Sequence, residues 1–395
     1  METEDYVIQS MPDCSPAKWH LAHTSWFFET FILKKLIPGY VSLHPKYDFL
    51  FNSYYNSIGI RHCRPKRGLI SRPTVEETYT YRRYIDEHVH AWFDSVSEAE
   101  FEMVDSVVEL GLHHEQQHQE LMVTDIKNAF GSNPLYPVFR HLPHEYGKNA
   151  APLNWIPVEE GVYKFGHYGG GFAFDNEGPR HKQYLRPFGI ASRLITNGEY
   201  IAFIHDRGYK RPELWLSEGW STVQTEQWTA PLYWWEQENG HYDEYTLGGL
   251  RPVDPAEPVV HVSYFEADAY ARWAGCRLLT EFEWEYAAET SPVDGSFAES
   301  DRFHPVGSLS VSRTPSQMFG EVWQWTRSQY SPYPGYNPPE GALGEYNGKF
   351  MCNQFVLRGG SVATPIDHIR TTYRNFFPPD ARWQFSGIRL GKDID

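Results

Sequence analysis

The sequence predicts an α+β chain of two domains, a helical bundle followed by a larger mixed domain poor in regular structure. Three observations lead there. Apolar side chains recur at helical spacing as far as about residue 142. Beyond that point helical periods become scarce, while Gly, Pro, Trp and Tyr become frequent. A chain of 395 residues that is 41% hydrophobic and 16% aromatic is long and apolar enough for two cores of ordinary size.

Residues 16–36, PAKWHLAHTSWFFETFILKKL, carry aromatic and aliphatic side chains at helical spacing, with Pro16 near the start and Pro38 and Gly39 closing the segment. A shorter helix is expected between residues 43 and 60, with Tyr54 and Tyr55 equally suited to a loop. Thr74 followed by Glu77 forms a capping-box signature ahead of VEETYTYRRYIDEHVHAWF, expected as a surface helix. The third long pattern runs from about Glu98 to Ala129. There Val107, Leu110, Gly111, His114, Gln117, His118 and Leu121 fall on one stripe facing inward. HLPHEYGKNAAPLNWIPVEEG then reads as a linker. Downstream, two helices stand out. One is TNGEYIAFIHDRG, with Thr196 as cap and Glu199 completing its box; the other is SYFEADAYARWAG, ended by Gly275.

A net charge of −16 argues against nucleic acid or an anionic membrane surface as a partner. No apolar run approaches the roughly 20 residues that span a bilayer. The start, METEDYVIQS, is acidic and lacks an apolar core, so no secretory signal is expected. Cys14, Cys63, Cys276 and Cys352 are widely scattered, which suits reduced thiols in a cytoplasmic protein.

The chemistry concentrates in three histidines. His114 and His118 are four apart, which stacks their imidazoles on one helical face. His23 lies on the earlier amphipathic segment that can pack against them. Three protein ligands leave coordination positions open for chemistry. HEQQH at 114–118 also matches the H-E-x-x-H pattern of zinc proteases, with Glu115 as general base, but no third ligand follows at the expected distance. His20 and His113 are expected to be ordinary packed histidines. Three imidazoles without a carboxylate favour zinc or iron(II) over magnesium or calcium, and sequence spacing does not choose between those two.

HLAH followed by WFFE, then HHEQQHQELM, resembles the DinB-like amino domain of the ergothioneine and ovothiol sulfoxide synthases. NGEYIAFI at 197–204, PVVHVSYFEADAYARWAG at 258–275, RLLTEFEWEYAA at 277–288, GEVWQWT at 320–326, RGGS at 358–361 and SGIRL at 386–390 resemble the formylglycine-generating (sulfatase-modifying-factor) domain, in that family's order. The resemblance implies a DinB-like four-helix bundle over residues 1–145. It implies a C-type-lectin-like domain with little regular secondary structure over 146–395.

It also implies a mononuclear non-haem iron(II) enzyme with His23, His114 and His118 as ligands. Such an enzyme joins the thiol of a cysteine compound to the imidazole of hercynine and draws the sulfoxide oxygen from dioxygen. Gln117 and Asn375 would contact the substrate, and Phe376 and Phe377 would line its pocket or simply pack the core. Some members carry a proton-donating Tyr just before the G-[DE]-V-W motif; Phe319 stands there in this chain. Tyr54 and Tyr55 are therefore the catalytic candidates for proton delivery. Arg61 and Arg64 resemble the family's carboxylate-binding arginines, a role that suits the guanidinium fork. Members that use γ-glutamylcysteine carry an acidic residue where Phe377 stands, which favours cysteine as the thiol.

Three alternatives stay open at this level: an ovothiol-type enzyme acting on histidine itself, a formylglycine-generating activity, and a non-catalytic module with a structural metal. The second needs a cysteine pair in the last segment, and residues 358–390 contain no cysteine. The third normally needs four protein ligands, and three are found.

Overall fold

A computed structural model describes residues 1–142, 150–308 and 314–394. The expected linker falls partly on residues 143–149, outside the described residues. The chain forms two compact units. The first is Met1–Pro134 joined by Pro338–Tyr346; the second is Leu135–Asn337 joined by Asn347–Asp395.

The first unit rests on three long helices. α1 spans Ala17–Phe28, starting just after Pro16. It runs straight into a π-helical turn, Glu29–Leu33, and a last turn, Lys34–Leu36. The expected helix is thus present over nearly its whole length, with one register slip that periodicity does not reveal. α2 spans Val75–Ser95, and its Thr74–Glu77 capping box is formed in both directions. The third pattern is broken near its start. Glu98–Glu102 forms a short helix with its own Ser97–Glu100 box, and α3 follows as Asp105–Gly131. Between residues 43 and 60 only Tyr47–Phe51 is helical. α1 packs on both α2 and α3. At one end Ile32, Trp92 and Val108 form an apolar cluster.

In the second unit, an antiparallel sheet orders Trp155–Val158, Phe188–Ala191, Leu390–Asp393 and Arg277–Leu278, so the unit's first and last strands share one sheet. A second sheet orders Asn375–Phe377, Phe355–Arg358, Trp323–Gln329 and Ser386–Gly387, the last pairing being parallel. Capping boxes start the helices Asn197–His205, Tyr264–Trp273 and Glu281–Ala288. The motif arginines are internal. Arg358 of RGGS is wholly buried and donates to Glu281 at 3.0 Å and Glu285 at 2.9 Å. Arg389 of SGIRL is buried and donates to Gln324 Oε1 at 2.7 Å and the Ala191 carbonyl at 2.8 Å. Hydrogen-bonded in this way, with Arg358 also paired to two carboxylates, these charges hold neighbouring loops that have little ladder bonding of their own.

Candidate metal centre

The centre is built from one face of α1 and one face of α3. Trp19, His23 and Trp26 follow one another at i, i+4 and i+7, so their rings stack along α1. The His23 ring lies 4.6 Å from that of Trp19 at 13° and 5.6 Å from that of Trp26 at 17°. Its Nδ1 donates to the Phe51 carbonyl at 2.6 Å, which turns the lone pair of Nε2 inward. His114 and His118 meet it from α3. His23 Nε2 and His114 Nε2 are 3.1 Å apart. One nitrogen from each of the three rings lies within 4.8 Å of the other two, and all three residues are buried.

Burial, followed by the charge of neighbouring histidines, keeps these imidazoles unprotonated. The His114 pKa falls to about 3, and those of His23 and His118 fall well below the usual value. Neutral rings with convergent lone pairs are what a metal ion requires. The donor set is nitrogen alone, which suits a borderline divalent metal better than a hard one. Glu115 is not part of it: its carboxylate takes Arg82 Nη2 from α2 at 2.6 Å, and Arg82 also reaches Thr24 Oγ1 at 3.1 Å. The protease arrangement therefore loses its general base.

His20, expected to be an ordinary packed residue, is buried against the centre. Its Nδ1 lies 2.8 Å from His118 Nδ1, and its Nε2 lies 3.0 Å from Asp125 Oδ2. Asp125 in turn accepts the Ser15 backbone N–H at 2.8 Å. A second grouping of possible ligands, Glu244, Glu257 and His304, surrounds the Arg251 guanidinium, which already supplies the positive charge there.

Tyr54 and Tyr55 are adjacent in space as in sequence, with hydroxyls 3.4 Å apart. Tyr55 is wholly buried, and burial pushes its hydroxyl well above the usual value, so it keeps its proton. A residue that sequence reasoning missed completes this wall. Tyr346 donates to Gln117 Oε1, and its ring lies 5.9 Å from that of His114 and 6.0 Å from that of Tyr54. Glu345 beside it accepts the backbone N–H groups of Asn56 at 3.0 Å and Ser57 at 2.9 Å, fixing the turn that carries the tyrosine pair.

The expected arginines each bind a backbone carbonyl. Arg61 donates to the Ser53 carbonyl at 2.7 Å and Arg64 to the Asp13 carbonyl, both exposed. The buried guanidinium is Arg67, three residues on, 3.3 Å from the Trp19 ring centroid and donating to Ser15 Oγ at 2.9 Å. Its signal was available, because R-x-x-R recurs as Arg64 and Arg67. Asn375, Phe376 and Phe377 belong to the second unit, where they form an edge strand. Asn375 Oδ1 accepts the Phe376 N–H at 2.9 Å, Phe376 stacks on Tyr330 at 4.0 Å, and Phe377 sets its ring edge-on to Trp383 at 6.2 Å.

Comparison with known proteins agrees with this architecture. The sulfatase-modifying factor enzyme 1-like domain matches residues 147–314 and 299–394. The hercynine oxygenase of Mycobacterium tuberculosis is 31% identical over 99% of this chain and 94% of its own length. The chain belongs to the hercynine oxygenase family. Ergothioneine biosynthesis protein 1 of Schizosaccharomyces pombe is 30% identical over 56% of this chain and 28% of its own length. The formylglycine-generating enzyme of Streptomyces coelicolor is 29% identical over 58% of this chain and 85% of its own. The expected pairing of a helical amino part with a sulfatase-modifying-factor domain is thus present.

Proposed function

We propose that this protein is an iron(II)-dependent sulfoxide synthase of ergothioneine biosynthesis, joining hercynine to the thiol of cysteine. The observation that carries the reading is the convergence of His23, His114 and His118 as three buried, neutral imidazoles with no carboxylate among them. The likeness to hercynine oxygenase over nearly the whole chain supports the substrate. The overall change is balanced. One C–H and one S–H give up their hydrogens, a C–S bond forms, the sulfur gains one oxygen, and the second oxygen of O2 leaves as water.

The three imidazoles would hold the iron, which supplies binding of the thiolate and activation of oxygen at one centre. The chain's own residues would do the rest. Gln117, on the same face of α3 as the ligands, would accept or donate to the substrate ring while Tyr346 fixes its amide. Tyr54, Tyr55 and Tyr346 would line the pocket with phenol hydroxyls, and a phenol near the reacting sulfur and oxygen can deliver a proton. Arg67, Arg64 and Arg61 form a basic edge suited to the substrates' carboxylates. Phe377 leaves no acidic group at that strand position for a glutamyl amine, which favours cysteine over γ-glutamylcysteine.

The test is a mass-spectrometric assay of iron(II)-loaded protein with oxygen, hercynine and cysteine. The runs to compare with it use γ-glutamylcysteine and unmethylated histidine. Hercynylcysteine sulfoxide is expected as the main product. Absence of a sulfoxide from every pairing overturns the proposal.

A further inference from the structure

The polar atoms behind His118 form a chain with a single consistent proton order. If Nε2 of His118 faces the centre as a lone pair, its Nδ1 carries the hydrogen. That hydrogen points at His20 Nδ1, 2.8 Å away, which must then be the acceptor. An imidazole that accepts at Nδ1 bears its hydrogen on Nε2. That atom lies 3.0 Å from Asp125 Oδ2, which accepts it. The Ser15 N–H donates to the same carboxylate oxygen at 2.8 Å. Every member is buried: His118 is 9%, His20 3% and Asp125 7% exposed. Reversing the order would set two hydrogens against each other or leave the carboxylate facing a lone pair. The three ligands are not supported alike. His23 has a backbone carbonyl behind it, His118 has a carboxylate reached through a second imidazole, and His114 Nδ1 is buried without a hydrogen-bond partner among the described residues.

We infer that His20 and Asp125 act as positioning residues for the metal centre, fixing the tautomer and ring angle of His118 and making its inward nitrogen the most electron-rich of the three. The inference rests on reading His23, His114 and His118 as metal ligands. A carboxylate that draws on a ligand's remote N–H raises that ligand's basicity, and loss of such a partner typically weakens metal binding 10- to 100-fold. The competing role for Asp125 is as counter-charge to buried Arg67, which feels its field but spends its hydrogen bonds on Ser15 and Ser53. In that case His20 would be a bystander.

Cobalt(II) titration of the full metal-free chain separates these roles, with affinity and visible absorption as readouts. In His20→Leu the His118 N–H loses its acceptor, and affinity is expected to fall about 10- to 100-fold. In His20→Asn the side-chain oxygen can replace Nδ1, and at least about a tenfold part of that loss should return. In Asp125→Asn the hydrogen bonds persist without the charge. Affinity should then fall by about tenfold, and the cobalt absorption bands should move. His114→Ala, which removes a ligand, should abolish uptake, whereas His113→Ala should leave it intact. Circular dichroism of the metal-free variants checks folding; should His20→Leu fail to fold, Asp125→Asn and His20→Asn decide. A parent that binds cobalt while Asp125→Asn matches it in affinity and spectrum overturns the relay alone. A parent that binds none overturns the centre as well.

Discussion

At the scale of single residues, the convergence of the three histidines was legible because helical spacing places His114 and His118 on an apolar stripe, where an imidazole needs a reason to be. His20 is a satisfied core histidine, as expected, but one of its partners is a ligand candidate, and sequence spacing does not reveal which nitrogen meets which. Tyr346 was illegible for a different reason. It ends a short 3-10 turn, Ala342–Glu345, with no periodicity to read, and lies 229 residues from Gln117. Its hydroxyl is nonetheless the group that fixes the Gln117 amide. Tyr346→Phe is expected to lower sulfoxide formation by roughly 100-fold, the lower end of the range for a lost proton-transfer group. Cobalt affinity should be unchanged. Steady-state rates beside a metal titration check it, and equal rates would confine Tyr346 to packing.

At the scale of elements, the placement of the three histidines depends on how closely α1 and α3 approach. Gly111 lies one turn before His114. A Cβ there would meet Phe28 Cζ at 2.9 Å and Phe27 Cε1 at 3.0 Å. Phe27 is wholly buried and has little room to swing. Gly111→Val is expected to destabilise the protein by about 1–3 kcal/mol through overpacking. It should also weaken metal binding by spreading His23 from His114. Thermal melts and a cobalt titration measure both, and a variant as stable as the parent would show that the helices can part freely. The capping boxes at Thr74 and Thr196 were legible because their chemistry is local. The π turn at Glu29–Leu33 was not, because apolar spacing carries no mark of it and the partners of its first residue lie on other segments. Buried Glu29 accepts hydroxyl hydrogens from Tyr40 at 2.9 Å and Tyr81 at 2.5 Å, partners on other segments. The break at Met103–Val104 likewise leaves the apolar spacing intact on both sides.

At the scale of the whole molecule, the division into a helical part and a loop-rich part was legible from texture, and no helix among the described residues is long and apolar enough to cross a membrane. The loop-rich unit depends on buried charges rather than long ladders, which gives its stability a pH dependence. Burial pushes the Glu321 carboxyl up to about 7 from an ordinary 4.5, despite the Val306 N–H at 2.7 Å. Between those values the folded chain retains a proton that the unfolded chain has released, so stability falls as pH rises through the window. The loss is on the order of 3 kcal/mol by pH 7.5. Glu321→Gln should remove most of that slope, and urea midpoints at pH 4.5 and 7.5 compare the two. Parallel curves would show that Glu321 ionises freely in the folded state. The discontinuous make-up of the helical unit, Met1–Pro134 with Pro338–Tyr346, bears on how the protein is born. All three histidines leave the ribosome early, but Glu345 and Tyr346 emerge only after more than two hundred further residues. A nascent chain can therefore bring its three histidines together long before it acquires the residues that cover them, and the pocket is complete only once Tyr346 has emerged.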